Sequence, residues 1–400
     1  MVSRRHALAL LGSTLPTALS GCLFGGVGAD ESGPPETVTE RPVDAAGSIP
    51  QYQTDAQNGG TLPGPAPSSP SVAWRRTPSR YDAAQPVVND DTVYVAFDGD
   101  LVRLSLVDGD EMWTVDAGHA SDATPAVHDG TVYVTVWNGG ESVPRGLVAV
   151  DAADGTERWR ALPDNDINTS PTPTDDAVFV GGGFENRDVA AVEGDGTVRW
   201  RRTLGQYAST PAVVDGRAYY AAGDAASVVG LDTETGETVW AQSVDGRAVA
   251  APTVVGERVV VADETGTVRA LDAASGEERW HASVDARVQR SVAVGDGRVI
   301  VAHAAGVASL SLSDGSEAWT ADLDGEPTAP LLTDGAVLVG AGRTVVALAR
   351  ADGTERWRVE TRERSYTDVV LGGIPGSPVA VDGTVLVATQ AGDVYALDDG

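Results

Sequence analysis

The 400-residue chain carries 28 basic and 58 acidic side chains, a formal charge of −30, and every basic residue is an arginine. That balance argues against a general basic face for nucleic acid and against polybasic docking on anionic lipid. A single cysteine excludes an internal disulfide and any cysteine-cluster zinc or iron–sulfur site. An acid excess without lysine fits a carboxylate surface that stays hydrated where salt screens self-repulsion, so a halophilic source is expected. The aspartates are scattered through turns, without calcium-loop spacing.

The chain opens Met1-Val2-Ser3-Arg4-Arg5-His6, followed by an apolar run from Ala7 to Leu19 and then Leu19-Ser20-Gly21-Cys22. An arginine pair before a run too short to span a bilayer fits a twin-arginine export signal. Leu19 to Cys22 resembles the lipobox of secreted lipoproteins, which implies lipidation of Cys22, the only cysteine. Residues 1–22 are therefore expected to be a signal segment, and the body to stand outside the cell on a lipid anchor at the cytoplasmic membrane. Residues 23–70 show no strand or helix periodicity and are rich in Gly, Pro, Ser and Thr, with several acids. Such a composition reads as a disordered tether.

From residue 71 a repeat dominates. Tryptophans fall at Trp74, Trp113, Trp159, Trp200, Trp240, Trp280, Trp319 and Trp357, with spacings of 39, 46, 41, 40, 40, 39 and 38. A period near 40 with alternating strands predicts an all-β propeller of four-stranded antiparallel blades. The unit Ala251–Trp280 shows the order: inner strand, tight turn, second strand, turn, third strand, turn, outer strand. Asp129-Gly130, Asp215-Gly216, Asp296-Gly297, Asp334-Gly335 and Asp382-Gly383 sit where the first hairpin turns, as positive φ requires. Gly109, Gly155, Gly196, Gly236, Gly276, Gly315, Gly353 and Gly400 mark eight units, and in the first seven the tryptophan follows four residues later. The eighth unit ends at its glycine, while Val72–Arg76 is a tryptophan strand without a preceding blade. The two are expected to join, latching the chain ends into an eight-bladed ring over residues 71–400; seven blades is the alternative.

Ala149–Trp159, Gly230–Trp240 and Ala270–Trp280 resemble the tryptophan-docking repeat of pyrroloquinoline-quinone (PQQ) propellers. The resemblance implies that the eight register tryptophans lock each blade to its neighbour. It also points two ways for function: toward quinoprotein alcohol or sugar dehydrogenases, which use PQQ with calcium, and toward the non-catalytic lipoprotein scaffold of outer-membrane β-barrel assembly. The larger dehydrogenases carry an adjacent cysteine pair over the quinone, and residues 23–400 hold no cysteine. His119, His128, His281 and His303 fall in four different blades, without metal-ligand spacing. Neither G-x-S-x-G nor a Schiff-base lysine is present. No catalytic, cofactor-binding or metal-binding residue is therefore assigned, and a non-catalytic interaction scaffold is expected.

Departures from the repeat are the places to look for binding. The second blade inserts Trp137 to Arg145, and the third has Phe184-Glu185-Asn186-Arg187 at the matching point. The longest connection, Glu360 to Ser377, carries Arg362, Arg364 and Tyr366, while Tyr207, Arg247 and Arg290 precede inner strands. Trp137, Arg145, Phe184, Arg187, Arg247, Arg290 and Tyr366 thus form a candidate rim for another surface or membrane protein, the propeller itself being monomeric. The bland alternative has Trp137 capping a hydrophobic edge and the arginines pairing with surface carboxylates. A second option is a small anionic ligand, such as a quinone, held in the channel by Arg247 and Arg290.

Overall fold

A computed structural model of the chain describes residues 30–32, 38, 40–120, 123–137, 145–366 and 369–400. Cys22 and the export segment lie outside the described residues. Eight four-stranded antiparallel blades form a propeller, and the described residues contain no helix. Blade 1 has strands Val87–Asp90, Thr92–Ala96, Asp98–Ser105 and Glu111–His119. The following blades begin with inner strands at Ala126, Thr172, Ala212, Thr253, Ala293, Leu331 and Val379. Blade 8 takes its outer strand, Ser71–Arg76, from the other end of the chain, where Trp74 pairs with Ala396. The expected latch is present. Each inner and second strand is buried on both faces, so these segments read as runs of Val and Ala rather than clean alternations.

One local distortion recurs. In blade 5 Leu271 faces Glu278 but Ala270 faces Trp280, leaving Arg279 as a bulge, and the same register shift precedes each register tryptophan. The bulge re-aims the indole along the sheet edge toward the next blade. Trp240 Nε1 donates to Ala273 O at 2.9 Å, and its ring lies so close to Gly276 that a Cβ there would sit 2.5 Å from it. Gly276 also has φ +75°, so both sterics and backbone demand glycine. Trp74, Trp113, Trp159, Trp200, Trp280 and Trp319 make the equivalent bond to the carbonyl of Leu106, Ala152, Gly194, Thr233, Leu312 and Arg350.

Trp357 breaks the pattern, because the third and outer strands of blade 8, Val394–Asp398 and Ser71–Arg76, come from different parts of the chain and no such turn joins them. Its Nε1 donates instead to Pro67 O at 2.7 Å. Asp399 receives the amides of Ser68 and Ser69 and holds this substitute turn in place.

That substitution belongs to a larger correction. Residues 23–70 were expected to be a disordered tether, but residues 40–70 are part of the folded body. Arg41 N and Val43 N donate to Ala73 O and Val107 O, and Gly47–Ile49 adds a fifth strand inside blade 1. The chain then circles the central channel. Pro50 O accepts from Val127 N of blade 2, Ala56 O from Val213 N of blade 4, and Gln57 O from Val254 N of blade 5. Gly59 O accepts from Val294 N of blade 6, while Gly60 O and Leu62 N pair with Leu332 of blade 7. Inner strands leave one row of backbone groups facing the channel, and this strap pairs with some of them in blades 1, 2, 4, 5, 6 and 7. Its stability comes from hydrogen bonds spread over six blades, not from a periodic apolar face. Periodicity therefore could not reveal it.

Candidate functional site

Two regions compete as sites: the channel and the loop-bearing face. Second-to-third-strand loops and the connections between blades share that face, as repeated geometry requires.

In the channel, Tyr52 donates from its hydroxyl to Ser291 Oγ at 2.7 Å, and burial pushes the phenol above its ordinary pKa. The Arg290 charge offsets part of that rise, and its buried Nε has no hydrogen-bond partner among the described residues. Gln53 is fully buried, and its amide is likewise unpartnered among those residues. A Cβ on Gly60 would meet Gln53 Oε1 at 2.3 Å, so this part of the strap is tightly folded on itself. Above it, hydroxyls link neighbouring blades. Thr124 N donates to Ser170 Oγ, Ser170 N to Thr210 Oγ1, and Ala251 N to Ser291 Oγ, at 2.9, 2.9 and 3.0 Å. These hydroxyls satisfy backbone groups at the mouths of the inner strands and are structural.

On the loop face, Phe184 is 51% exposed and meets Tyr207 edge-on, with ring centroids 5.7 Å apart. The Arg247 guanidinium lies over the Tyr207 ring, 4.8 Å from its centroid, within cation–π range. Arg247 also reaches Glu264 at 3.4 Å, and Gln289 Nε2 donates to the same carboxylate at 2.9 Å. This series crosses blades 3 to 6. Glu264 and Gln289 were missed from sequence because each sits in an ordinary turn and only the ring geometry unites them.

The remaining candidates are distributed elsewhere. Trp137 stacks at a tilt on His119, centroids 5.9 Å apart, and His119 in turn pairs with Asp98. Arg145 faces Glu185 at 3.9 Å and Arg187 faces Asp224 at 3.4 Å, so both arginines are in surface pairs of small energetic weight. Arg290 belongs to the channel and not to the rim. Tyr366 ends a strand, Glu363–Tyr366, of a small three-stranded sheet outside the blades. The rest of the 137–145 insertion, residues 138–144, is outside the described residues.

Titratable groups supply little chemistry. Among the described residues no set of three or more His, Cys, Asp or Glu could hold a metal ion. His128 and His281 each pair with a carboxylate, Asp175 at 3.3 Å and Glu278 at 2.6 Å. His303 is largely buried, and that burial lowers its pKa. The most buried ion pair, Arg269 with Asp263 at 2.6 Å, is locked by Thr265 and lies within blade 5, where it braces the second-to-third-strand turn.

Comparisons with known proteins agree with this architecture. The model of the family described as outer membrane protein assembly factor BamB matches residues 56–135, 97–185, 185–283 and 264–400. The solved structure of BamB from Moraxella catarrhalis aligns with 82% of this chain and 97% of its own, at 17% identity and a TM-score of 0.65. A quinohemoprotein alcohol dehydrogenase from Comamonas testosteroni aligns over 88% and 80%, at 15% identity and a TM-score of 0.73. At such identities the likeness is one of fold alone. The serine/threonine-protein kinase AfsK of Streptomyces griseus is 33% identical over 146 residues, 32% of this chain. The chain spans only 17% of that kinase's length.

Proposed function

The chain belongs to this outer membrane protein assembly factor family, and we propose that it is an exported, lipid-anchored, non-catalytic propeller that docks another surface or membrane protein. The observation that carries the reading is the strap. Residues 47–64 run along the inner strands and take up the amides of Val127, Val213, Val254, Val294 and Leu332, so a ligand there competes with the protein's own backbone. The exposed Phe184, with Tyr207 and Arg247 behind it, offers the aromatic and arginine chemistry from which interface hot spots are built. Export through the twin-arginine route and lipidation at Cys22 belong to the same proposal and rest on the N-terminal motifs.

Photo-crosslinking tests it. A crosslinker at Phe184 in native membranes should give a discrete adduct that Arg247→Glu abolishes, while the same group at Ala274, on the opposite face, should give none. The second reading is a PQQ-binding dehydrogenase with calcium, favoured by the fold likeness to the quinohemoprotein enzyme. Saturable PQQ binding by calorimetry in high salt, with dye-linked oxidation of alcohols or sugars, would replace the scaffold reading with that one. Titration at two temperatures guards against a chance zero in the enthalpy.

A further inference from the structure

The long connection between blades 7 and 8 contains a hairpin, Glu363–Tyr366 paired with Val369–Leu371. It is fixed to the loop face. Thr361 N and Ile374 N donate to Arg343 O and Gly342 O at the blade 7 turn, and Arg364 Nη1 donates to Ala391 O of blade 8 at 3.1 Å. A third strand completes this small sheet, and it comes from the N-terminal segment. Asp30–Ser32 runs antiparallel to the hairpin, with Asp30 opposite Ser365, Glu31 opposite Arg364 and Ser32 opposite Glu363. The chain enters the propeller itself only at Glu40 and Arg41, where Arg41 N bonds Ala73 O and Arg76 pairs with Glu40.

This pairing sets how far the body can stand from a lipid at Cys22. Eight Cα steps separate Cys22 from Asp30, a reach of at most about 28 Å. Without the docked strand the free length would extend to Glu40, at most about 65 Å, and either end of the propeller could face the membrane. The blades are about 20 Å tall from strand length alone, so with the strand docked the turn-bearing face meets the bilayer only if nearly all of that ~28 Å runs fully extended down the side of the ring. We infer that the Asp30–Ser32 strand, paired with the Glu363–Leu371 hairpin, holds the loop-bearing face toward the membrane. The partner that meets Phe184, Tyr207 and Arg247 is then itself membrane-embedded or membrane-bound. This inference rests on the lipid-anchor reading and deepens the docking proposal. The −30 charge opposes direct adsorption on anionic headgroups, so the face is held near the bilayer and not laid upon it.

Because Cys22 is the only cysteine, a thiol dye can report one chosen site. Ala225→Cys places it on an exposed loop of the proposed membrane-facing end, and Ala274→Cys on an exposed turn of the other. Energy transfer to a headgroup acceptor, measured on full-length protein in membranes of the expressing cell, should be about twofold or more stronger from position 225. Glu31→Pro removes a strand donor and should bring the two signals together while the protein stays membrane-bound. Equal or reversed transfer in the anchored protein overturns the inference, as does a difference that survives Glu31→Pro. Dye uptake by the unmodified chain, or its release from membranes in washing, would instead show that the lipid anchor is wrong and remove the premise.

Discussion

Asn58 is the keystone of the strap. Its side-chain amide donates to Pro211 O at 3.1 Å and Pro252 O at 3.0 Å, joining blades 4 and 5, while its own carbonyl accepts Thr253 Oγ1 at 3.0 Å. The residue is 1% exposed and holds φ +54°, a conformation asparagine tolerates and alanine does not. Asn58→Ala removes two buried hydrogen bonds, at about 1 to 3 kcal/mol, and adds about 1 to 2 kcal/mol of left-handed backbone strain. Pro211 O keeps Thr172 Oγ1 as a donor at 3.0 Å, which places the sum nearer 2 to 4 kcal/mol than the full range. Asn58→Gly removes the bonds without the strain and should cost about 1 to 2 kcal/mol less. Native-state hydrogen exchange reads the effect locally, since Val213 N and Val254 N are protected by Ala56 O and Gln57 O. At a factor of ten per 1.4 kcal/mol, those two amides should exchange about 30- to 700-fold faster in Asn58→Ala. The Val127 amide, held at Pro50, should change less. Unchanged exchange at Val213 and Val254 would refute the view that the strap is stitched to the inner strands through Asn58.

Two further outcomes follow from the ring. Trp74 is 1% exposed, whereas Trp159 is only half-buried; Trp74→Ala should cost about 3 to 5 kcal/mol and Trp159→Ala clearly less, by denaturant midpoint in high salt. Equal costs would mean that the latch between the chain ends carries no special weight. In acid, Asp272 should keep its charge unusually long, because Arg279 and then the Ser275 amide hold its carboxyl down at about 2. A carboxylate with a depressed folded pKa contributes stability that is present above about pH 4 and lost as pH falls toward 2. Arg279→Gln should return the Asp272 midpoint toward its ordinary value in a carbon-detected NMR titration, and an unmoved midpoint would show that the turn amides alone set it.

The blades were legible because each carries the same two constraints. A glycine with positive φ must sit under the preceding blade's indole, and four residues after it, just past a bulge, comes the tryptophan, so the pair repeats at a visible period. Even the closing of the ring could be read, since Val72–Arg76 is a tryptophan strand with no repeat unit before it, and it pairs with the third strand of blade 8. The strap was not legible, because Gly, Pro and Ser in residues 56–70 look like a solvated linker. One signal did point the other way. With 22% charged residues overall, a solvated stretch the length of residues 56–74 should carry about four charges, and it carries none. Ile49 and Leu62, both fully buried, were the apolar anchors within a segment otherwise held by backbone bonds. The rim residues were chosen as departures from the repeat, and that criterion finds exposed loops without saying which ones meet. It grouped Trp137 with Phe184, although Trp137 turns to His119 and Phe184 to Tyr207.

A ring of near-identical blades has no preferred direction, so whatever this protein recognises must depend on where the symmetry is broken. The breaks are not independent. The strap that fills the channel also supplies the missing turn of blade 8 through Pro67, closes the ring as the Ser71–Arg76 strand, and leads back through Glu40 toward the hairpin-bound Asp30–Ser32. A chain beginning at residue 71 would therefore lose the Trp357 acceptor, the fifth strand of blade 1 and the carbonyls that five further blades use inside the channel. One beginning at residue 40 would keep all of these and lose only the strand on the hairpin. The folded unit thus starts some thirty residues before the first tryptophan repeat. Pulling on its N-terminal side first strips the three-residue pairing at the hairpin, while the strap remains bonded to six blades. Orientation and integrity are held by different stretches of the same segment, and the first can be lost without the second.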